Sequence, residues 1–282
     1  MFTRSLQSIL PLLDRIRLWL YYRLTYQPAY IPRIRYFRLG IPLVMKRSRF
    51  PGSSESAALR MMNKTFPDLP IPRLIDSLNV DGEVYTIMTR TTGDTLMNVL
   101  RSPTRILTDE QIRDIVYEVY GVVRRLWTLR QPPGLGRQVM LSAGGHGLPD
   151  ARSDYTELLD PCSIAECYVA NTARIQDSAV WEVEQLVRKE PERMAAVMSD
   201  DIVWVHCDLR ALNIMVDNGK FSGIIDWESS GWHARHWQLL VVRVMLYVTN
   251  PPWVTRWWDE FEFEPEVEAA YRAGRELVRN WV

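Results

Sequence analysis

Cysteine is scarce in this chain: Cys162, Cys167 and Cys207 are all there is among 282 residues. Three thiols build no disulfide framework, and no CxxC spacing offers a thiolate zinc site. Cys162 and Cys167 stand five apart, on different sides of a helix. All three are read as reduced thiols of a cytoplasmic protein. Net charge is lacking too, since 34 Lys and Arg balance 34 Asp and Glu. That sum leaves no basic field to draw in nucleic acid, so no nucleic-acid partner is expected. No GxxxxGK[ST] occurs, which excludes a P-loop. No internal repeat or low-complexity tract appears.

A clean membrane span is absent as well. Leu6, Ile9, Leu10, Leu13, Ile16, Leu20 and Leu24 recur at helical spacing, but Asp14, Arg15, Arg17 and Arg23 interrupt the run. No secretory cleavage site is visible. Residues 1–30 are therefore expected to form an amphipathic helical extension packed on the body. Contact with a membrane surface or a partner is the lesser alternative.

What is present is ordinary globular material, 47% apolar and 24% charged. Two short strands flank Gly40, the second running Leu43 to Lys46. A helix over Glu55 to Lys64 follows, with Ala58, Leu59 and Met62 on one side. Strands at Leu74–Ser77 and Glu83–Thr89 meet at an Asp81-Gly82 turn. Arg90 to Asp94 is polar and reads as a hinge. Beyond it the chain is mainly helical. The strongest helix spans Thr108 to Leu129, where Ile112, Ile115, Val116, Val119, Val122, Val123 and Leu126 keep a 3.6-residue period. Gln131 to Asp154 reads as an irregular loop. The pattern is α+β and bilobal: a small N-lobe at 31–92 with an antiparallel sheet and one helix, then a large helical C-lobe at 93–282 with an embedded hairpin.

That hairpin carries the chemistry. Asn218-Gly219 between two apolar runs is a strong hairpin signal. A two-residue turn pairs Asp217 with Lys220, Val216 with Phe221, Met215 with Ser222, Ile214 with Gly223 and Asn213 with Ile224. Asp226 lies two beyond Ile224, so it shares a face with Asn213 at a diagonal of about 7 Å. One amide oxygen and one carboxylate so placed can hold magnesium, with phosphate and water completing its shell. Asp208 lies five residues before Asn213, after the apolar strand Ile202–Val205, and can accept a hydroxyl proton at the same mouth. His206 is expected to brace this loop.

His206-Cys-Asp-Leu209, Asn213-Ile214 and Ile225-Asp-Trp-Glu228 together resemble the core of the aminoglycoside phosphotransferase and choline kinase superfamily, within the protein-kinase-like fold. The resemblance implies an ATP-dependent kinase acting on a hydroxyl of a small-molecule acceptor. It assigns Asp208 the base and Asn213 and Asp226 the Mg2+ ion. Cys207 departs from the family's usual glycine. Glu228, just past a metal position, is expected to order the loop or meet an acceptor amine.

The nucleotide side is read from Lys46, a lysine ending an apolar strand, with Glu55 in the first turn of the next helix. In kinases such a pair holds the α- and β-phosphates of ATP. Glu55-Ser-Ala-Ala-Leu59 looks like the family's Glu-Ala-x-x-Leu element. A glutamate favoured by the helix dipole is the plain alternative. Met88, Thr89 and Arg90 are expected beside the adenine, with backbone groups after Met88 bonding to it as the family's hinge does. Upstream of Lys46 only Gly40 is found, so the glycine-rich loop of protein kinases is missing.

The acceptor side is less specific. Trp227, Trp232, Trp237, Trp253, Trp257, Trp258 and Trp281 are expected in packing, with an aromatic box for a cation as the alternative. Two other functions stay open: a catalytically silent nucleotide binder, and a metal-dependent hydrolase using His206, Asp208, His233 and His236.

Overall fold

The computed structural model describes residues 2–29, 31–48, 54–104, 106–149, 158–176, 183–245 and 257–278. The N-terminal apolar period forms α1 (Phe2–Leu24). It lies on an antiparallel sheet of β1 (Thr25–Tyr26), β2 (Ile34–Phe37), β3 (Leu43–Arg47), β4 (Leu74–Val80) and β5 (Glu83–Thr89), in the order β1-β2-β3-β5-β4. Side chains alternate along a strand. One face therefore presents Phe37, Met45, Leu78, Tyr85 and Ile87 to Leu18 of α1. The other turns Val44 and Met88 toward the main core, where they meet α2 (Ser54–Thr65) through Ala58, Leu59 and Met62.

Polar ties fix α1 as well. Asp14 accepts from Arg17 at 2.8 Å and from the Asn79 amide at 3.2 Å. Arg17 also pairs with Asp76, to which the Tyr21 hydroxyl donates at 2.8 Å. Burial and then that bond push the Tyr21 phenol up to about 12. The Asp81-Gly82 turn has φ of 54° and 83°, as a two-residue hairpin turn requires.

The second lobe starts with β6 (Asp94–Thr95) and α3 (Leu96–Arg101), which Thr95 caps. Helix α4 (Asp109–Leu126) buries its whole periodic face and opens on a Thr108–Gln111 capping box. The segment read as an irregular loop carries β7 (Leu141–Ser142) and β8 (Leu148–Pro149), and β8 pairs with β9 (Leu158–Leu159). Helices α5 (Ile164–Gln176), α6 (Val183–Lys189) and α7 (Pro191–Ser199) lead to β10 (Ile202–His206). Then come the hairpin β11 (Ile214–Asp217) and β12 (Lys220–Ile224), strand β13 (Ser230–Ala234), α8 (Arg235–Leu240) and α9 (Pro265–Leu277). The fold is bilobal and α+β. Among the described residues no helix is long and apolar enough to cross a membrane.

Candidate active site

The small lobe contributes Lys46, at the end of β3. Its Nζ lies 2.6 Å from Asp226 Oδ1, 3.1 Å from Glu55 Oε2 and 3.2 Å from Glu228 Oε2. Only 10% of the Lys46 side chain and 1% of Glu55 is exposed. Glu55 also accepts the Trp227 amide at 3.1 Å, so one glutamate ties α2 to strand β3 and to the chain after the hairpin. Three carboxylates around one ammonium leave surplus negative charge. Burial alone would lower the Lys46 ammonium, but Asp226, then Glu55 and Glu228, outweigh it and hold it well above its usual value. Burial pushes Glu55 up to about 7 against the pull of Lys46, and the charges of Asp226 and Glu228 add to the rise. Burial works the same way on Asp226, yet there Lys46 prevails and keeps the carboxyl below its ordinary range.

The large lobe contributes the loop between β10 and β11. Asp208 is 4% exposed and pairs with Arg210 Nε at 3.0 Å. Asn213 Nδ2 donates to the Asp208 carboxylate at 2.8 Å and to its carbonyl at 2.7 Å. The Asn213 side-chain Oδ1 stays outside these two bonds. Arg210 also lowers Asp226, so its charge acts on both carboxylates. His206 is fully buried. Its Nδ1 accepts the Asp208 amide at 3.3 Å, so Nε2 carries the proton and donates to the Ile225 carbonyl at 3.1 Å. Burial pulls this imidazole down to about 4. A neutral ring bonded on both sides is a brace. Gln238 of α8 holds the same turn: it accepts the His206 amide at 3.1 Å and donates to the His206 carbonyl at 3.2 Å.

The hairpin departs from the expected register. Asp217 faces Lys220 and Val216 faces Phe221, but Met215 then faces Gly223 and Ile214 faces Ile224. Ser222 is the extra residue of a bulge, held by its hydroxyl on the Thr92 carbonyl at 2.8 Å. The Asn213 carbonyl accepts the Ile225 amide at 2.9 Å, so Asn213 stands opposite Ile225. The simple alternation that put Asp226 on Asn213's face is therefore broken. Asp226 instead takes a left-handed backbone, φ 65° and ψ 63°, which re-aims its side chain at Lys46. Cys207 has no positive φ, so its position does not demand glycine. Burial, then Asp208, pushes its thiol up.

A cleft of about 880 Å³ lies between the lobes. Ile34, Val44, Met88 and Met215 line it, with Lys46 and Asp226 also in its wall. Thr89 and Arg90 line it too, but their amides are already taken by the carbonyls of Arg73 at 2.9 Å and Pro42 at 2.8 Å. The expected hinge bonds cannot come from those two amides. Sheet pairing on both sides of β5 uses them up. Gly40 sits in the β2–β3 turn with Leu39. The loop that contributes Ile31 to the cleft is 27–33, with Pro28 and Pro32 and no glycine.

Residues 35–279 match the model of the phosphotransferase enzyme family. The chain belongs to that family. In structure it is similar to aminoglycoside phosphotransferase APH(4)-Ia, with a TM-score of 0.57 and 17% identity over 94% of this chain and 88% of the other. It is also similar to the gentamicin complex of APH(2")-IIa, at 0.55 and 13% over 90% and 84%. At such identities the likeness is one of fold. Comparison with curated proteins returned no match.

Against this phosphotransferase background the hydrolase set comes apart. His233 lies on strand β13 and His236 on α8, so they do not share a helix face. His236 Nδ1 lies 2.9 Å from Asp200 and its Nε2 lies 2.9 Å from the Tyr168 hydroxyl. His233 stacks on Trp237 at 4.2 Å. Among the described residues no three His, Cys, Asp or Glu converge as a metal site. Trp227, Trp232, Trp237 and Trp258 are buried in the core, and Trp257 packs against it. Trp253 and Trp281 lie outside the described residues. Sequence reading missed Arg210 and Gln238. Arg210 was within reach, two residues from Asp208; Gln238 is 32 residues from His206 and leaves no local signal.

Proposed function

We propose that this chain is an ATP-dependent kinase that moves the γ-phosphate to a hydroxyl of a small molecule. The observation that carries it is the Lys46 cluster: one ammonium against Glu55, Asp226 and Glu228, with Lys46, Glu55 and Asp226 in the wall of a cleft between lobes. Solved relatives of this fold hold ADP with hygromycin B, or ATP with streptomycin.

The residues fit a triphosphate and a divalent cation. The cluster carries surplus negative charge in a partly dry site, which a cation relieves. The Asn213 side-chain Oδ1, the Asp226 carboxylate and the phosphates are the hard oxygen donors that Mg2+ prefers. Bound there, Mg2+ neutralises charge on the transferring phosphoryl group. Lys46, held charged, would bind the phosphates. The apolar side chains of Ile34, Val44, Met88 and Met215 would enclose the base. Asp208 would accept the acceptor's hydroxyl proton, its carboxylate held in place by Asn213 and His206 fixing the loop beneath it.

Isothermal titration of ATP with and without Mg2+ tests the binding half, and a screen of hydroxylated metabolites for ADP release tests the transfer. Asp208→Asn should lower turnover by about 10³-fold or more while leaving Mg2+–ATP affinity nearly intact. Unchanged turnover in that variant would remove Asp208 from the base role. A silent nucleotide binder, the reading that the glycine-free loop favours, would bind ATP and release no ADP with any acceptor.

A further inference from the structure

The outer face of the small lobe carries features that phosphate transfer does not use. Helix α1 buries Leu18 on the sheet and turns Asp14, Arg17 and Tyr21 toward it. On its free side Leu12, Leu13, Ile16, Trp19 and Leu20 are each between 46% and 59% exposed. Leu12, Ile16, Trp19 and Leu20 are spaced by four, three and one, so they form one stripe along the helix. An unpartnered apolar stripe of this length marks an interaction surface.

Charge identifies the partner. Residues 1–50 hold nine arginines and Lys46 against one acidic residue, Asp14. The whole chain balances 34 against 34, so residues 51–282 hold 24 basic and 33 acidic groups. The neutral total conceals a basic N-terminal end, of which Arg15, Arg17 and Arg47 are paired with Asp81, Asp76 and Glu83. Beside α1 a groove of about 210 Å³ is lined by Arg33, Arg35 and Arg47, with Tyr22 and Tyr85. The Arg35 guanidinium lies over the Tyr22 ring at 4.6 Å, and that of Arg23 over Trp19 at 5.8 Å. Aliphatic side chains, a tryptophan and a rim of arginines are what an anionic bilayer surface recognises.

We propose that α1 and the adjoining arginine groove dock the protein on a membrane rich in anionic phospholipid. The stripe enters the boundary between headgroups and acyl chains, and the arginines meet the phosphates. A second copy of this chain is the poorer occupant, because it would set one basic face against another. Lys46 and the cleft lie on the opposite face of the sheet, so docking leaves the nucleotide path open.

The test uses the full chain and flotation with phosphatidylcholine vesicles, with and without phosphatidylserine. The expected result is flotation with the anionic vesicles only, weakened by salt. Ile16→Glu with Trp19→Glu should reduce partitioning more than tenfold, since both side chains lose their burial in the acyl boundary. Leu12→Glu alone should act in the same direction. Arg33→Gln and Arg47→Gln should each lose about fivefold. These positions are exposed or half-buried, and an unchanged melting temperature shows that the fold is kept. Three outcomes overturn the proposal: no flotation of the wild type with anionic vesicles, flotation that survives the double glutamate variant, or a wild-type dimer in solution that this variant splits.

Discussion

The buried charge networks around Asp200 and around Lys46 differ in balance. Beneath α8 the Asp200 carboxylate pairs with Arg235 Nε at 2.8 Å and accepts from the His236 amide at 2.8 Å, with His236 Nδ1 at 2.9 Å. Burial would raise Asp200, but the bonds from His236 and the charge of Arg235 hold it below its usual value. Each polar group there has a partner, and the network joins the residues before β10 to the helix after β13. Around Lys46 one cation faces three carboxylates, and one of them, Glu55, is pushed up to about 7. The matched network acts as a staple. The unmatched one is left with negative charge in excess.

Removing one charge from each site is the sharpest way to break this contrast. Asp226→Asn should lower turnover by about 10³-fold, with a loss of stability in the ligand-free protein well below that of the Asp200 variant, because Glu55 and Glu228 still pair with Lys46. Asp200→Asn should do the reverse. It leaves Arg235 and His236 short of a partner and should cost about 3–5 kcal/mol in urea unfolding. Equal losses of stability in the two variants would erase the distinction.

The pH dependence has a sign that separates the two as well. Glu55 holds its proton up to about 7 when folded, against an ordinary 4.5. Between those values the folded state binds the extra proton, so this group's contribution to stability falls as pH rises through that window. Thermal melts of the ligand-free protein across that range should show a decline that Glu55→Gln flattens. The smallest effect belongs to a surface pair. Arg124 donates to both oxygens of Glu264, at 2.8 and 2.6 Å, and its bonds hold that carboxyl down to about 2. Its stabilisation is present above about 4.5 and is lost as pH falls through about 2. Both partners are more than a third exposed, so Glu264→Gln should change stability by about 1 kcal/mol or less at neutral pH.

What was legible in the sequence was local. The period of α4, its Thr108 cap, the Asp81-Gly82 turn and the Asn218-Gly219 turn depend on residues within a few positions of one another. The Lys46–Glu55 pair was also readable, because a strand and the next helix fix its reach. The bulge was not. It depends on Pro70, whose carbonyl lies so close to Gly223 that a Cβ there would stand 2.7 Å away. The left-handed turn at Asp226 follows from that shift and from the distant pull of Lys46. Net charge misled in another way, because a sum over the chain cannot show that residues 1–50 carry ten basic groups against one acidic.

Gly93 has a consequence for motion between the lobes. A side chain there would stand 2.1 Å from the Val216 carbonyl, and the next residue, Asp94, pairs with Val216 itself. The crossing strand is thus laced into the ribbon whose near end bears Asn213. Any displacement of one lobe against the other would therefore have to be carried through Gly93, where no side chain could be fitted between the two strands.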